Sequence, residues 1–253
     1  MNWSIKLNLY RHSLFLLFID GILNIPGNKY NINGYKNDNP KERPTLDMIL
    51  NDDSFSDIRV LTNAQLQVLK QEMINELRRD PKGYSFKVQK YKDYFEGNIL
   101  KIPGAQAGIK TEEGPAAYEE AIQFLKNASP ADEMTPSKGL FYIASDFLGM
   151  VQKETDPNNL KNIDMDSIIS RHGNFVGNFS RSMEFGGATP EQVIVNLLVS
   201  DGDKTRGQRE ALLNNNLKKV GVASGTHETY RTASIIVGCT QFENSSGNDD
   251  YSI

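Results

Sequence analysis

The stretch Leu217-Lys-Lys-Val-Gly-Val-Ala-Ser-Gly-Thr-His-Glu-Thr-Tyr-Arg-Thr-Ala-Ser-Ile-Ile-Val237 decides the fold. Upstream of it, apolar residues recur every three or four positions. Here the period falls to two: Val220 and Val222 alternate with their neighbours, and Ile235 and Val237 do so again. The intervening Ala223 to Ala233, with Gly225 and Thr226, reads as a loop, so the two runs form an antiparallel hairpin. A strand over Phe179 to Phe185 is available to join the same sheet. Strands that arrive late, after a run of helices, point to an α+β domain with helices packed on an antiparallel sheet.

The helices are legible going back toward the N-terminus. From Thr62, the residues Leu66, Leu69, Met73 and Leu77, with Ile74 beside them, make one apolar face that Pro81 stops. Tyr84 to Phe95 reads as a second helix with Phe86, Val88, Tyr91, Tyr94 and Phe95 on its apolar side. Lys101 to Glu113, with Pro103, Gly104 and Gly108, reads as a loop. Pro115 suits the first turn of a third helix burying Ala117, Ala121, Ile122 and Leu125. Ser137 starts the clearest long helix, with Leu140, Ile143, Ala144, Phe147, Leu148 and Val151 as its core face and Asp156-Pro157-Asn158 as its stop. A short helix holds Ile168 and Ile169. Thr189 caps the next, with Pro190 at its first position, Gln192 reaching back as in a capping box, and Val193, Ile194, Leu197 and Leu198 buried. Arg206 to Leu213 is a further short helical piece, and no internal repeat is visible.

Composition narrows the function classes. A chain of 253 residues is long enough to bury roughly 70–75% of its unfolded surface and needs no staple. It has one Cys, Cys239, and three His, namely His12, His172 and His227. One Cys makes no internal disulfide, and this set builds no zinc finger or Cys-rich ribbon. A net charge of −4 argues against nucleic acid as a partner. At the N-terminus, Lys6 and Arg11 precede the apolar run Leu14 to Ile19, which Asp20 interrupts before Ile22 and Leu23. That run is too short to span a membrane. Residues 1–23 are read two ways, as a signal peptide or as an apolar segment packed on the domain. Residues 24–60 read as a linker, 61–243 as the folded domain and 244–253 as a polar tail.

The chemistry on offer is sparse. There is no nucleophile elbow, phosphate-binding glycine loop, dinucleotide fingerprint or paired-His helix. Glu184 lies at a strand end before Gly186 and Gly187, where it either meets a ligand or accepts backbone N–H groups from the turn. His172 suits a helix C-terminus. His227 sits in the hairpin loop, and Cys239 reads as a buried inert thiol. Arg206 and Arg209, near Asp201 and Asp203, read as an ion-pair staple rather than an active site. Ser200 has no partnered base in view.

Several runs together carry a family resemblance. They are Ser182-Met-Glu-Phe-Gly-Gly-Ala-Thr-Pro-Glu-Gln-Val193, Leu197-Leu-Val-Ser-Asp-Gly-Asp203, Arg206-Gly-Gln-Arg209, Leu217-Lys-Lys-Val-Gly-Val-Ala223, His227-Glu-Thr-Tyr230 and Ile235-Ile-Val237. Glu113 to Ile122 and Ser137 to Asp146 fit upstream. In order and spacing this resembles the CAP superfamily (cysteine-rich secretory proteins, antigen 5 and pathogenesis-related 1 proteins), in its disulfide-free microbial SCP-type form, over about residues 62–242. The resemblance implies a three-layer α-β-α sandwich with a central antiparallel sheet, an extracellular, secreted protein, and usually no catalysis. It also implies a cleft, here Glu184, Asp201, Arg206, Gln208, Arg209 and His227. The family's His-Glu-Glu-His tetrad for a divalent metal is degenerate. Glu184 matches its first Glu, Gln208 replaces its second His, no His stands between Leu160 and Asp166, and only Asp201 can substitute for the second Glu. The expectation is no cofactor, with Glu184 and His227 as the weak candidates for residual metal contact, and no melting-temperature rise with zinc. Three readings stay open: a secreted, non-enzymatic binder of a lipid, glycan or protein; a divalent-metal hydrolase or protease on Glu184, Asp201 and His227; and an intracellular interaction domain with a decayed site.

Overall fold

The computed structural model describes residues 63–105, 107–154 and 159–245. The apolar N-terminal segment, the linker, the Asp156-Pro157-Asn158 stop and most of the polar tail lie outside the described residues. The first helix, α1, spans Asn63–Arg79. Asp80 accepts the Gly83 N–H at 2.8 Å and Pro81 opens α2, Pro81–Lys92, so the proline that ends one helix starts the next. Three two-residue strands, β1 (Phe95–Glu96), β2 (Ile99–Leu100) and β3 (Ile109–Lys110), form a small antiparallel sheet. β3 falls where the sequence reads as loop. Then come α3 (Pro115–Asn127), β4 (Thr135–Pro136), α4 (Lys138–Val151), a 3-10 turn (Asn159–Asn162), α5 (Met165–His172) and β5 (Gly173–Phe185). The chain closes with α6 (Pro190–Val199), α7 (Gly207–Leu213), β6 (Lys219–His227) and β7 (Arg231–Asn244).

The main sheet has the order β4-β6-β7-β5. Its three long strands are antiparallel, and the edge strand β4 runs parallel to β6, so the sheet as a whole is mixed. The fold is α+β. Alternation along the strands separates two cores. Val220, Val222 and Ile236 pack with α1, α2, α3, α6 and α7 on one face. Ala223, Ala233, Ile235, Val237, Cys239 and Phe242 pack with α4 and α5 on the other. The helices therefore form two layers around the sheet. Gly221 is required on the α4 side: a Cβ there would run into the backbone at Leu140 and Phe141.

Three sequence expectations need correction. The hairpin strands run on through the presumed loop, leaving only Glu228 to Tyr230 as the turn. Ala-Ser-Gly-Thr is a poor strand run by propensity, yet its small residues face α4 and its hydroxyls face α1. The buried stripe of α1 is Gln67, Lys70, Gln71, Ile74, Asn75, Leu77 and Arg78, while Leu69 and Met73 are half-buried. Arg78 sits at 0% exposure because it donates to the carbonyls of Asp132, Leu212, Asn214 and Leu217. In α2, Phe86 is 75% exposed, since the inward row is Tyr84, Val88 and Tyr91 and position 86 points away from it.

Candidate functional site

Across the α1 side of the sheet, register places Ser224 opposite Ser234 and Ser234 opposite Glu184. Lys70 of α1 reaches this row. Its Nζ donates to Ser224 Oγ at 2.5 Å and to Ser234 Oγ at 3.0 Å, and Ser224 Oγ donates to Ser234 Oγ at 3.1 Å. Lys70, Ser234 and Glu184 are buried, while Ser224 is half-buried. The row opens into a pocket of about 280 Å³ lined by Lys70, Ser224, Ser234, Thr232, Gly187 and Gln152, among others. Burial pulls the Lys70 amine down to about 8, opposed by the charge of Glu184. Burial also pushes Glu184 above its ordinary value, against the Asn196 amide, the Gly187 backbone and the Lys70 charge. Glu184 Oε1 accepts from Asn196 Nδ2 at 2.7 Å. Oε2 is buried without a well-aligned partner, although the Gly187 N–H is near enough to oppose the rise. Gly187 keeps this geometry possible: a Cβ there would stand 2.7 Å from Oε2.

The six residues that the resemblance marks as a cleft fall into separate places. His227 lies on the α4 face, opposite to Glu184, edge-on to Phe185 and tilted against Tyr230. Its Nδ1 accepts the N–H groups of Thr229 and Tyr230 at 3.1 and 3.2 Å, which leaves the proton on Nε2, a buried atom without a partner among the described residues. Gln208 Oε1 accepts the Met183 N–H at 2.9 Å and ties α7 to the edge of β5. Asp201 accepts the N–H groups of Glu112 and Glu113 at 2.7 and 2.9 Å.

Arg206 and Arg209 do form a staple, but with different partners from those expected. Arg206 pairs with Glu113 and Glu120, each at 2.8 Å, and donates to the carbonyls of Ser200 and Asp203. Arg209 pairs with Glu120 at 2.8 Å and donates to the carbonyls of Leu198 and Val199. Asp203 instead accepts from Thr205. Ser200 and Arg206 both hold left-handed backbone, with φ of 49° and 53°, a conformation unusual outside glycine. The Arg206 bonds hold it in place. Hydrogen bonds from Arg206 bring Glu113 down to about 2, and the two carboxylates raise Arg206 in turn.

The two candidate metal contacts, Glu184 and His227, do not converge, since they lie on opposite faces of the sheet. Glu184 is a single carboxylate whose neighbours are an amide donor and an ammonium, and no cluster of three His, Cys, Asp or Glu occurs among the described residues. His172 bonds Asp146 Oδ2 at 2.8 Å and stacks on Tyr142 at the end of α5.

Sequence reasoning missed Lys70, Ser224, Ser234 and Asn196. A signal existed for Lys70: it stands four residues before Ile74 and seven before Leu77, on the buried stripe. The serines had none until the presumed loop proved to be strand.

No family model matches the chain, and no curated protein matches it. A solved structure similar to part of it is that of a cysteine-rich secretory protein from Staphylococcus aureus subsp. aureus Mu50. The two share 15% identity at a TM-score of 0.32, over 50% of this chain and 38% of that one. The match thus spans well under half of that protein, and at this score it carries no argument about family or activity. No helix among the described residues is long and apolar enough to cross a membrane.

Proposed function

We propose that this is the CAP-type domain of an exported protein, and that it binds a small, oxygen-rich ligand in the Lys70 pocket without a metal. The sequence runs from Ser182 to Val237 support the family, and the apolar segment at residues 14–23 supports export. The observation that carries the binding site is Lys70 itself. A buried ammonium has three donors. Ser224 and Ser234 accept two, and among the described residues nothing accepts the third. A pocket of about 280 Å³ is at the small end of ligand sites, which run roughly 300–1,000 Å³. The polar members of its lining, Lys70, Gln152, Thr232 and the two serines, together with its small volume, suit a short carboxylate or a sugar better than a long lipid chain.

The test is amide chemical-shift mapping during titration with a panel of short carboxylates and monosaccharides. Shifts confined to residues 187–190, 224–226 and 232–234 are expected. Shifts only along the shallow groove of Phe124, Asn127 and Leu213 would contradict the reading. A reporter fused after residue 30 tests export, which fails if the reporter stays in the cytosol.

A further inference from the structure

We infer that Ser224 is a nucleophile for acyl transfer from small esters, with Lys70 as its general base and Ser234 as the residue that positions the base. The inference rests on the reading that this pocket admits a small ligand, and goes beyond it. The three atoms form a closed triangle with sides of 2.5, 3.0 and 3.1 Å. A nucleophile within hydrogen-bond reach of a base, and a base fixed by a third group, is the arrangement that activates a serine. Burial assigns the roles. All three line the pocket, but Ser224 is half-buried while Lys70 is at 4% exposure and Ser234 at 2%. Of the two hydroxyls, that of Ser224 is the more accessible to an incoming acyl carbon.

A lysine acts as a base only when neutral. Burial brings Lys70 to about 8, and Glu184 on β5 is the charged group that acts on it. The amine is therefore partly neutral at pH 7 and mostly neutral at pH 9. In the neutral state Ser224 turns its O–H toward Nζ while Ser234 still accepts a Lys70 N–H. Ser224 Oγ bonds to the ester carbonyl carbon as its proton passes to Lys70. The bond to the alkoxy group breaks, and that group takes the proton from Lys70. Water then attacks the acyl-serine, again giving its proton to Lys70. The carboxylic acid departs, Ser224 regains its proton, and Lys70 returns to its starting state. A volume of about 280 Å³ limits the acyl group to a short one.

Diisopropyl fluorophosphate tests this directly on the full chain. It forms an Oγ–P bond and expels fluoride by the same attack. Intact mass and peptide mapping are expected to show one adduct, on Ser224, at a rate that rises roughly tenfold from pH 7 to pH 9. Ser224→Ala and Lys70→Met should lose it. Ser234→Ala should lower the pH midpoint, because the ammonium loses an acceptor; a merely structural role would leave that midpoint in place. Absence of an adduct on Ser224 in the native protein at pH 9 overturns the inference, and so does an equal rate in a folded Lys70→Met variant. If carboxylates or sugars shift the pocket amides while no adduct forms, the binding reading stands and this one falls. If neither occurs, both fall.

Discussion

Arg206 and Lys70 are both cations drawn out of water, and they keep opposite company. Arg206 meets two carboxylates and two carbonyls, and its protonated form is reinforced. Lys70 meets two hydroxyls and feels one carboxylate at a distance, and its protonated form is penalised. A buried charge whose partners answer it fully holds structure. One that is answered only in part keeps free capacity for a ligand or a proton. The first sits where α3, α6 and α7 join; the second sits at the floor of a pocket.

The comparison can be broken by substitution. Arg206→Ala should have the largest effect, about 2 kcal/mol in urea unfolding, because Ser200 O and Asp203 O lose their donor and the left-handed backbone at 206 loses its restraint. A change indistinguishable from zero would mean that the staple is decorative. Acid and alkali should separate the two cations next. The Glu113 carboxyl is lowered from 4.5 to about 2, so its contribution is complete above pH 4.5 and is lost as pH falls toward 2. The Lys70 amine is lowered from 10.5 to about 8. Between those values the unfolded chain holds more protons than the folded one, so stability from this group rises as pH climbs from 8 to 10.5. Thermal melts across both windows check the signs, with Arg206→Ala flattening the acid limb and Lys70→Met the alkaline one.

Lys70→Met should change neutral-pH stability by less than about 1 kcal/mol, in either direction. Replacing a poorly compensated buried charge with an apolar chain of similar length removes a cost along with two hydrogen bonds. A loss as large as that of Arg206→Ala would place Lys70 among the structural cations instead. The smallest effect belongs to Lys204, which pairs with Glu113 while its side chain is 81% exposed. Lys204→Ala should leave the unfolding midpoint unchanged within error, since an exposed pair adds little.

What could be read in advance follows the same physical division. The start of α4 near Ser137 and its core face of Leu140, Ile143, Ala144, Phe147, Leu148 and Val151 were legible, because an apolar stripe at helical period reports its own burial. At Thr189 the Oγ1 accepts the Gln192 N–H as a capping motif predicts, although Gln192 reaches back to the Ala188 N–H rather than to the cap. Strand pairing through Ser224 and Ser234 was illegible, because hydroxyls enter a sheet face only when a donor waits there. That donor lies 154 residues away from Ser224 in the chain. The buried polar stripe of α1 was hidden for the same reason: Lys70 and Arg78 become interior residues through partners from β6, β7, the end of α7, the turn after it and the segment before β4. The staple was anticipated as an ion-pair cluster. Its true anions, Glu113 just before α3 and Glu120 within it, lie more than eighty residues upstream, beyond what local spacing can show.

The under-answered charge on Lys70 underlies both the proposed pocket and its chemistry. Its protonation can be followed directly by carbon-detected NMR of the lysine ε-methylene groups between pH 6 and 11, assigned by Lys70→Met. A midpoint near 8 for Lys70, apart from the other lysines, is the predicted result. A midpoint at the ordinary lysine value of 10.5 would contradict it.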